Sequence, residues 1–486
     1  MKRALTVIHA LGLLLVVFSI AYLMPIVTSI IYGDYVMLFD FLLAMLWTAA
    51  AGTLMWMLTR RHKGELSIRH GYLLVVAMWT AMPAFSTLPL LMMIPNLSFT
   101  DAYFETMSGM TTTGATVLVG LDNLPPALNL WRHELNWLGG LGIIVLAVAV
   151  LPLLGIGGRQ LFKAETPGPM KENSLTPRIA ETAKGLWSVY FLLTAACMVA
   201  LWFAGMGGWE AVIHGFSIMG LGGFSSHDAS LGHFNSLPIE VVAMFFALLS
   251  GINFATHFLA FRGKSLRPYL GDAEIPFFFG VLAVSILGLT MYLLPFHVHD
   301  GFFATLRYVA FHSISLATSL GLAITDTAVW PMFAQVWVLF LGSFVACSGS
   351  TGGGIKMMRA ILLYKLVFRE ITRAMHPRAI HPVRLGRQAV GETVLHAVLA
   401  FSFMYMVVVV SLTLLLAASG LELVTAFSAI VATLNNTGPG LNSVGPAGNF
   451  AALTDIQKWV CSFAMIIGRL EIFTVLVVFT PAFWRK

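Results

Sequence analysis

Ten apolar runs, each long enough to cross a bilayer, organise the chain: 4–30, 36–58, 70–94, 134–156, 183–205, 238–261, 275–295, 332–366, 393–419 and 456–483. The loops between them are of two kinds. Basic residues gather on one side: Lys2 and Arg3 before the first run, Arg60, Arg61 and Lys63 after the second, and Arg159, Lys163, Lys171, Arg178 and Lys184 after the fourth. The same side holds Arg262, Lys264 and Arg267, then Arg369, Arg373, Arg378, Arg384 and Arg387, and finally Arg485 and Lys486. The other side carries only Arg132, Arg307 and Lys458. The positive-inside rule therefore predicts that both termini are cytoplasmic, and an even number of spans agrees with it. The first run follows Met1-Lys2-Arg3 and superficially looks like a signal peptide. Its length, and the lack of a small-residue cleavage site before Tyr32, predict a retained span.

Composition excludes a soluble protein. Hydrophobic residues make up 58% of the chain and charged residues 10%, against about 25% charged in soluble domains. The predicted fold is an all-α polytopic membrane protein. The net charge of +6 is accounted for by the basic loops and implies no nucleic-acid partner. Cys197, Cys347 and Cys461 lie in apolar or glycine-rich stretches without metal-ligand spacing and read as small buried hydrophobes.

On the sparsely charged side, segments 100–125, 209–236, 301–328 and 423–450 are too short and too apolar for simple loops. Each starts with about ten moderately apolar residues, enough for a half-helix but not for a span. Each then reaches a glycine: Ser108-Gly-Met-Thr-Thr112-Thr113-Gly114, Ser217-Ile-Met-Gly-Leu221-Gly222-Gly223, Ser315-Leu-Ala-Thr-Ser319-Leu320-Gly321 and Ala432-Thr-Leu-Asn-Asn436-Thr437-Gly438. Three have serine six residues before the glycine. His214 and His312 stand nine before it in the second and third, and Asp228 and Asp326 five after it. The glycines recur at roughly 100–115-residue intervals, a repeat of helix, half-helix and helix. A dehydrated cation needs oxygens in place of its water, and backbone carbonyls provide them without net charge. Turning carbonyls toward one axis needs backbone angles that glycine tolerates. Half-helix C-termini would favour a cation there, and Asp101, Asp122, Asp228 and Asp326 would concentrate cations at the outer mouth. Ordinary glycine turns in external loops are the competing reading; four gapless matches, each midway between paired spans, favour the pore.

The eighth run is interrupted by Cys347-Ser-Gly349-Ser350-Thr351-Gly352-Gly353-Gly354, where consecutive glycines predict unwinding and the hydroxyls can satisfy freed backbone. A flexible kink is the plainer alternative, and a phosphate-binding loop fails for lack of Walker spacing. Arg469 lies inside the last run, where an arginine is costly and should face water, a partner or the pore. It is expected to face the pore below the filter, with a structural salt bridge as the alternative. His133-Glu134 lacks the second histidine of a zinc protease and reads as an interfacial pair. Trp131, Trp137, Trp209 and Trp330 read as an aromatic belt. With no nucleophile elbow, Walker motif or catalytic cysteine pair in view, an enzyme is not expected.

These motifs together resemble the TrkH branch of the Trk/Ktr/HKT potassium transporters over the whole chain. The likeness rests on the four filter segments, Gly-Gly-Phe at 222–224 with Ser-His-Asp at 226–228, Asn-Thr-Gly-Pro-Gly at 436–440, Gly-Ser-Thr-Gly-Gly-Gly-Ile-Lys at 349–356 and Gly-Arg-Leu-Glu at 468–471. It implies two extra helices in 1–66 and pore repeats at 67–165, 180–268, 272–372 and 388–486, each a helix, a re-entrant pore helix, a filter loop and a second helix around a central pore. It implies that Gly114, Gly223, Gly321 and Gly438 are filter glycines, with potassium held at the backbone carbonyls of these segments, and that 349–354 is a gating loop. The filter is degenerate: Leu320 and Leu322 flank the third glycine, Gly222 precedes the second, and only the first repeat has Thr-Thr-Gly. The resemblance further implies channel-like uptake across a bacterial inner membrane and a homodimer within the lipid. It implies no covalent cofactor, and a separate cytoplasmic ring of nucleotide-binding RCK subunits, called TrkA. A secondary transporter coupled to sodium or protons is the alternative. It would favour several broken helices and mid-membrane acids, whereas the sequence predicts one broken span and, at span centres, little beyond Glu471.

Overall fold

The computed structural model describes residues 2–61, 67–142, 179–377, 381–386 and 388–485. The fourth predicted span beyond Gly142 lies outside these residues. So do most of the basic loop after it, with Arg159, Lys163, Lys171 and Arg178, and Lys63, Arg378, Arg387 and Lys486. Among the described residues the regular elements are helices save for a two-residue strand pair, Arg384–Leu385 with Gln388–Ala389.

Among the described residues six helices are long and apolar enough to cross a membrane, and two bent pairs raise this to eight. Their outer faces are apolar as lipid requires: Val36, Phe39, Leu46, Leu54 and Leu58 of Tyr35–Thr59 all point outward. The first two spans cross at paired glycines. A Cβ on Gly12 would lie 2.7 Å from the Gly52 carbonyl oxygen, and one on Gly52 2.6 Å from the Gly12 oxygen, a close small-residue packing in which two backbones touch.

Helix Ile68–Met93 holds Pro83 and Pro89. Proline lacks the N–H that would bond the carbonyl four residues earlier. The Phe85 oxygen freed by Pro89 is taken by the Tyr22 hydroxyl at 2.9 Å, so a span outside the repeats is fastened to the first repeat. Tyr22 also stacks on Trp131, with ring centroids 4.5 Å apart.

From residue 68 onward the element order recurs four times: a long helix, a short buried helix, an irregular segment and a second helix. The short helices are Phe99–Met110, Gly208–Gly220, Gly301–Ala317 and Leu423–Leu434. The second helices are less regular than the hydrophobic pattern predicts. The fourth passes from Pro126–Trp137 into a π-turn at Leu138–Gly142. The sixth bends by 92° between Leu237–Ser250 and Phe254–Gly263, and the tenth by 116° between Asp455–Leu470 and Ile472–Phe479. The tenth breaks at Glu471, whose φ is 64°. The eighth is two helices, Met332–Phe344 and Met357–Met375, joined by the predicted unwound stretch.

Two further expectations change. Trp131, Trp137 and Trp330 are buried and form no belt; their indole N–H groups donate to Ser86 O, Thr194 Oγ1 and His299 Nε2. His133 and Glu134 are buried too, not interfacial. The three cysteines are buried and free.

Candidate functional site

Each short helix ends in the same way. The residue two before the glycine, Thr112, Leu221, Ser319 or Asn436, has φ of 54°, 52°, 67° or 53°. The following N–H bonds back to the carbonyl five residues earlier: Thr113 to Ser108 at 2.8 Å, Gly222 to Ser217 at 2.9 Å, Leu320 to Ser315 at 2.7 Å and Thr437 to Ala432 at 2.9 Å. This is a Schellman stop, here with a side chain at the left-handed position where glycine is usual. It satisfies the helix end while turning the chain into the segment that carries the glycine.

That glycine is also at positive φ: 81° at Gly114, 71° at Gly223, 79° at Gly321 and 86° at Gly438. The residue between the two positive-φ positions is not, so handedness alternates along each segment. The four segments touch in a closed cycle. A Cβ on Gly114 would lie 2.5 Å from the Gly222 carbonyl oxygen, and one on Gly438 2.7 Å from the Thr113 oxygen. On Gly223 and Gly321 it would overlap the Leu320 and Thr437 oxygens. Each glycine thus abuts the carbonyl that precedes the next glycine, and the fourth closes on the first. All twelve predicted positions, 112–114, 221–223, 319–321 and 436–438, meet here, and none is exposed.

The strand beyond each glycine is held from behind by its own short helix. His214 Nε2 meets Ser225 Oγ at 3.1 Å and His312 Nε2 meets the Thr325 oxygen at 3.2 Å. The first repeat has Glu105 at this position, nine before its glycine. Glu105 accepts from the Thr116 hydroxyl at 2.9 Å, Val117 N at 3.0 Å and Arg132 Nε at 2.9 Å. Arg132 in turn donates to the Ser225 oxygen at 3.1 Å and lies 4.4 Å over the Phe224 ring. The fourth repeat has Ala429 there, and Ser428 Oγ accepts from Leu441 N at 2.9 Å instead. The two histidines share a residue type, whereas Glu105 shares only their position, nine before its glycine, and Arg132 reads from the sequence as a loop charge and not as the partner of Glu105.

On one side of the ring opens a cavity of about 80 Å³. Gly114, Gly223, Gly321 and Gly438 line it together with Arg132, His227 and Asp228. The four expected acidic residues do not form a free ring. Asp101 pairs with Lys458 at 2.6 Å and Asp122 with His227 at 2.5 Å. Asp228 accepts from the Gly120 and Leu121 N–H groups, and Asp326 from Ala328 N.

On the other side lies the unwound segment 345–356. A Cβ on Gly352 would sit 2.6 Å from the Thr318 oxygen, and one on Gly353 would overlap the Asn435 oxygen; only glycine fits so close beneath two short-helix ends. Gly353 N donates to Ser319 Oγ at 3.2 Å. Two of the three predicted hydroxyls bond backbone: Ser350 to the Cys347 oxygen and Thr351 to Met219 and Ser250 oxygens. Ser348 Oγ has no partner, but Ser348 N donates to Glu274 Oε2 at 2.8 Å, and Met358 N to the same oxygen at 3.1 Å. One carboxylate thus holds both ends of the segment. Burial pushes the Glu274 carboxyl up to about 7, although these two N–H groups favour its charged form.

Arg469 joins the two levels. Its guanidinium donates to Thr112 Oγ1 at 3.1 Å, to the Thr351 oxygen at 2.8 Å, to the Gly139 oxygen at 2.6 Å and to the Gly140 oxygen. Glu471, two residues on, pairs with Arg359 at 2.7 Å.

Comparison with known proteins follows the same lines. The family model described as "TrkH: Cation transport protein" matches residues 38–486. The chain is 45% identical to the Trk system potassium uptake protein TrkH of Salmonella typhimurium, over 100% of this chain and 99% of that protein. It is 40% identical to TrkG of Escherichia coli K12, over 99% and 98%. It superposes on the crystal structure of the potassium transporter TrkH from Vibrio parahaemolyticus with a TM-score of 0.89 and 42% identity, covering 99% of this chain and 100% of that one.

Proposed function

The chain belongs to the TrkH family of cation transport proteins, and on that premise we propose that it conducts potassium through the four-glycine ring in a channel-like manner. The observation that carries this reading is the closed cycle of glycine against carbonyl. Alternating handedness at 112–114, 221–223, 319–321 and 436–438 turns carbonyls of each segment toward a common axis, where they replace the ion's water. Four short helices present their negative C-terminal ends to the same place. The unwound segment 345–356 obstructs the path beneath, and Arg469 adds a fixed positive charge tied to that segment. Conduction needs both to move, and a cytoplasmic nucleotide-binding ring acting on the inner face is the expected control. The protein works as a multi-pass homodimer in the inner membrane, both termini cytoplasmic.

An ion-coupled transporter remains the second reading, because the second helices are broken in several repeats and not in one alone. The count of broken helices therefore does not separate the two. Rb+ uptake into proteoliposomes under a potassium gradient alone does. Sustained uptake without a proton or sodium gradient supports the channel-like reading; uptake that appears only with one of those gradients overturns it.

A further inference from the structure

Beside the cavity over the glycine ring, two loops from different repeats bring together Asp122, His227 and His233. Their ligand atoms all lie within 4.8 Å of one another. The two imidazoles are stacked, 3.5 Å between centroids and 2° from parallel. Both direct Nδ1 at one carboxylate oxygen: His227 at 2.5 Å and His233 at 3.8 Å from Asp122 Oδ1. We propose that these three side chains form a binding site for a divalent transition-metal ion of the zinc class, whose occupancy slows cation entry from this face.

The donor set fits such an ion. Two imidazole nitrogens and a carboxylate are the ligands of zinc, copper and nickel, whereas magnesium and calcium take oxygen. Three protein ligands leave a fourth position for water. The surroundings resemble a built site. His227 Nε2 lies 2.9 Å from Glu210 Oε1, and a carboxylate on the far nitrogen fixes the tautomer that leaves Nδ1 as the ligand. Asp122 is oriented by the Asp228 N–H at 3.1 Å. Ligation needs the His233 ring to swing out of its stack on His227, so that both Nδ1 lone pairs meet at one point, and His227 and Asp122 to part slightly; His233 is nearly half exposed, which leaves room for that swing.

The position gives the ion a consequence. His227 lines the cavity that the four glycines share, so a bound dication adds charge where cations must enter and repels them. Binding stands by itself; only its effect on transport rests on the conduction reading above.

The test uses the purified full-length protein and two readouts. Co2+ absorbance and competition by Zn2+ report binding. Rb+ uptake into proteoliposomes, with and without micromolar ZnCl2 in the bath and EDTA reversal, reports the consequence. The wild type is expected to bind one ion and to lose several-fold in uptake. His233→Ala should keep uptake and lose both binding and zinc sensitivity. Glu210→Gln should weaken binding about 10–100-fold. No stoichiometric binding, or binding undiminished in His233→Ala and Asp122→Asn, overturns the site. Binding lost in His233→Ala with uptake indifferent to Zn2+ in the wild type overturns its command of the entrance.

Discussion

Replacing Arg469 by alanine removes one positive charge beneath the glycine ring and, with it, the hydrogen bonds to Thr112, Thr351, Gly139 and Gly140. The two losses have different readouts. A unit charge about 8 Å from a passing cation costs about 2 kcal/mol at an effective dielectric of about 20, so its removal should raise basal Rb+ uptake up to about thirtyfold. Three backbone oxygens lose a charged donor in a site that is partly buried. At about 1–3 kcal/mol for each group left unsatisfied, a lower Tm accompanies the gain in flux. Arg469→Lys separates the effects: it keeps the charge, so uptake should stay low, but the single ammonium cannot span the same set of carbonyls and Tm should still fall. The assay is Rb+ uptake in proteoliposomes paired with thermal unfolding for wild type, Arg469→Ala, Arg469→Gln and Arg469→Lys. Unchanged or lower uptake in folded Ala and Gln variants would refute a charge barrier and leave Arg469 a purely structural tie.

Two other substitutions probe the frame around the ring. Glu105→Leu strands Arg132 in a site where both side chains are 1% exposed; the expected cost is about 3–5 kcal/mol, read as a fall in Tm that Glu105→Leu combined with Arg132→Met partly restores. Glu274, the residue before the Ile275–Phe296 span, has a carboxyl raised from 4.5 to about 7. Because the folded value lies above the unfolded one, its stabilising contribution is fully present below about 4.5 and is lost as pH rises through about 7, by at most about 3 kcal/mol. Tm should therefore fall between pH 5 and pH 7 more steeply in the wild type than in Glu274→Gln; parallel slopes over that interval would contradict this.

How much of this was legible in the sequence depended on whether a residue type or a position carried the signal. Gly114, Gly223, Gly321 and Gly438 were found because glycine at a fixed register is the cheapest solution to a positive φ. The left-handed residues two before them were not flagged as such, since threonine, leucine, serine and asparagine have nothing in common but the place they occupy. Segment 349–354 announced itself through consecutive glycines, whereas the break at Glu471 had no glycine or proline at the bend. The third level of information was pairing. Asp101, Asp122 and Asp228 looked like free surface charge, but each is engaged by a residue more than 100 positions away. Hydropathy finds spans and says nothing of which polar groups meet, and this is also why the buried Trp131, His133 and Glu134 were read as interfacial.

The central claim is that the four glycines form the ion's path, and the ratio of Rb+ to Na+ uptake in single substitutions tests it most directly. Valine in turn at Gly114, Gly223, Gly321 and Gly438 puts a branched side chain at positive φ and against the neighbouring carbonyl oxygen. Each variant that inserts and folds is expected to lose uptake or to discriminate less between the two ions. Wild-type uptake and wild-type discrimination in all four would contradict the account.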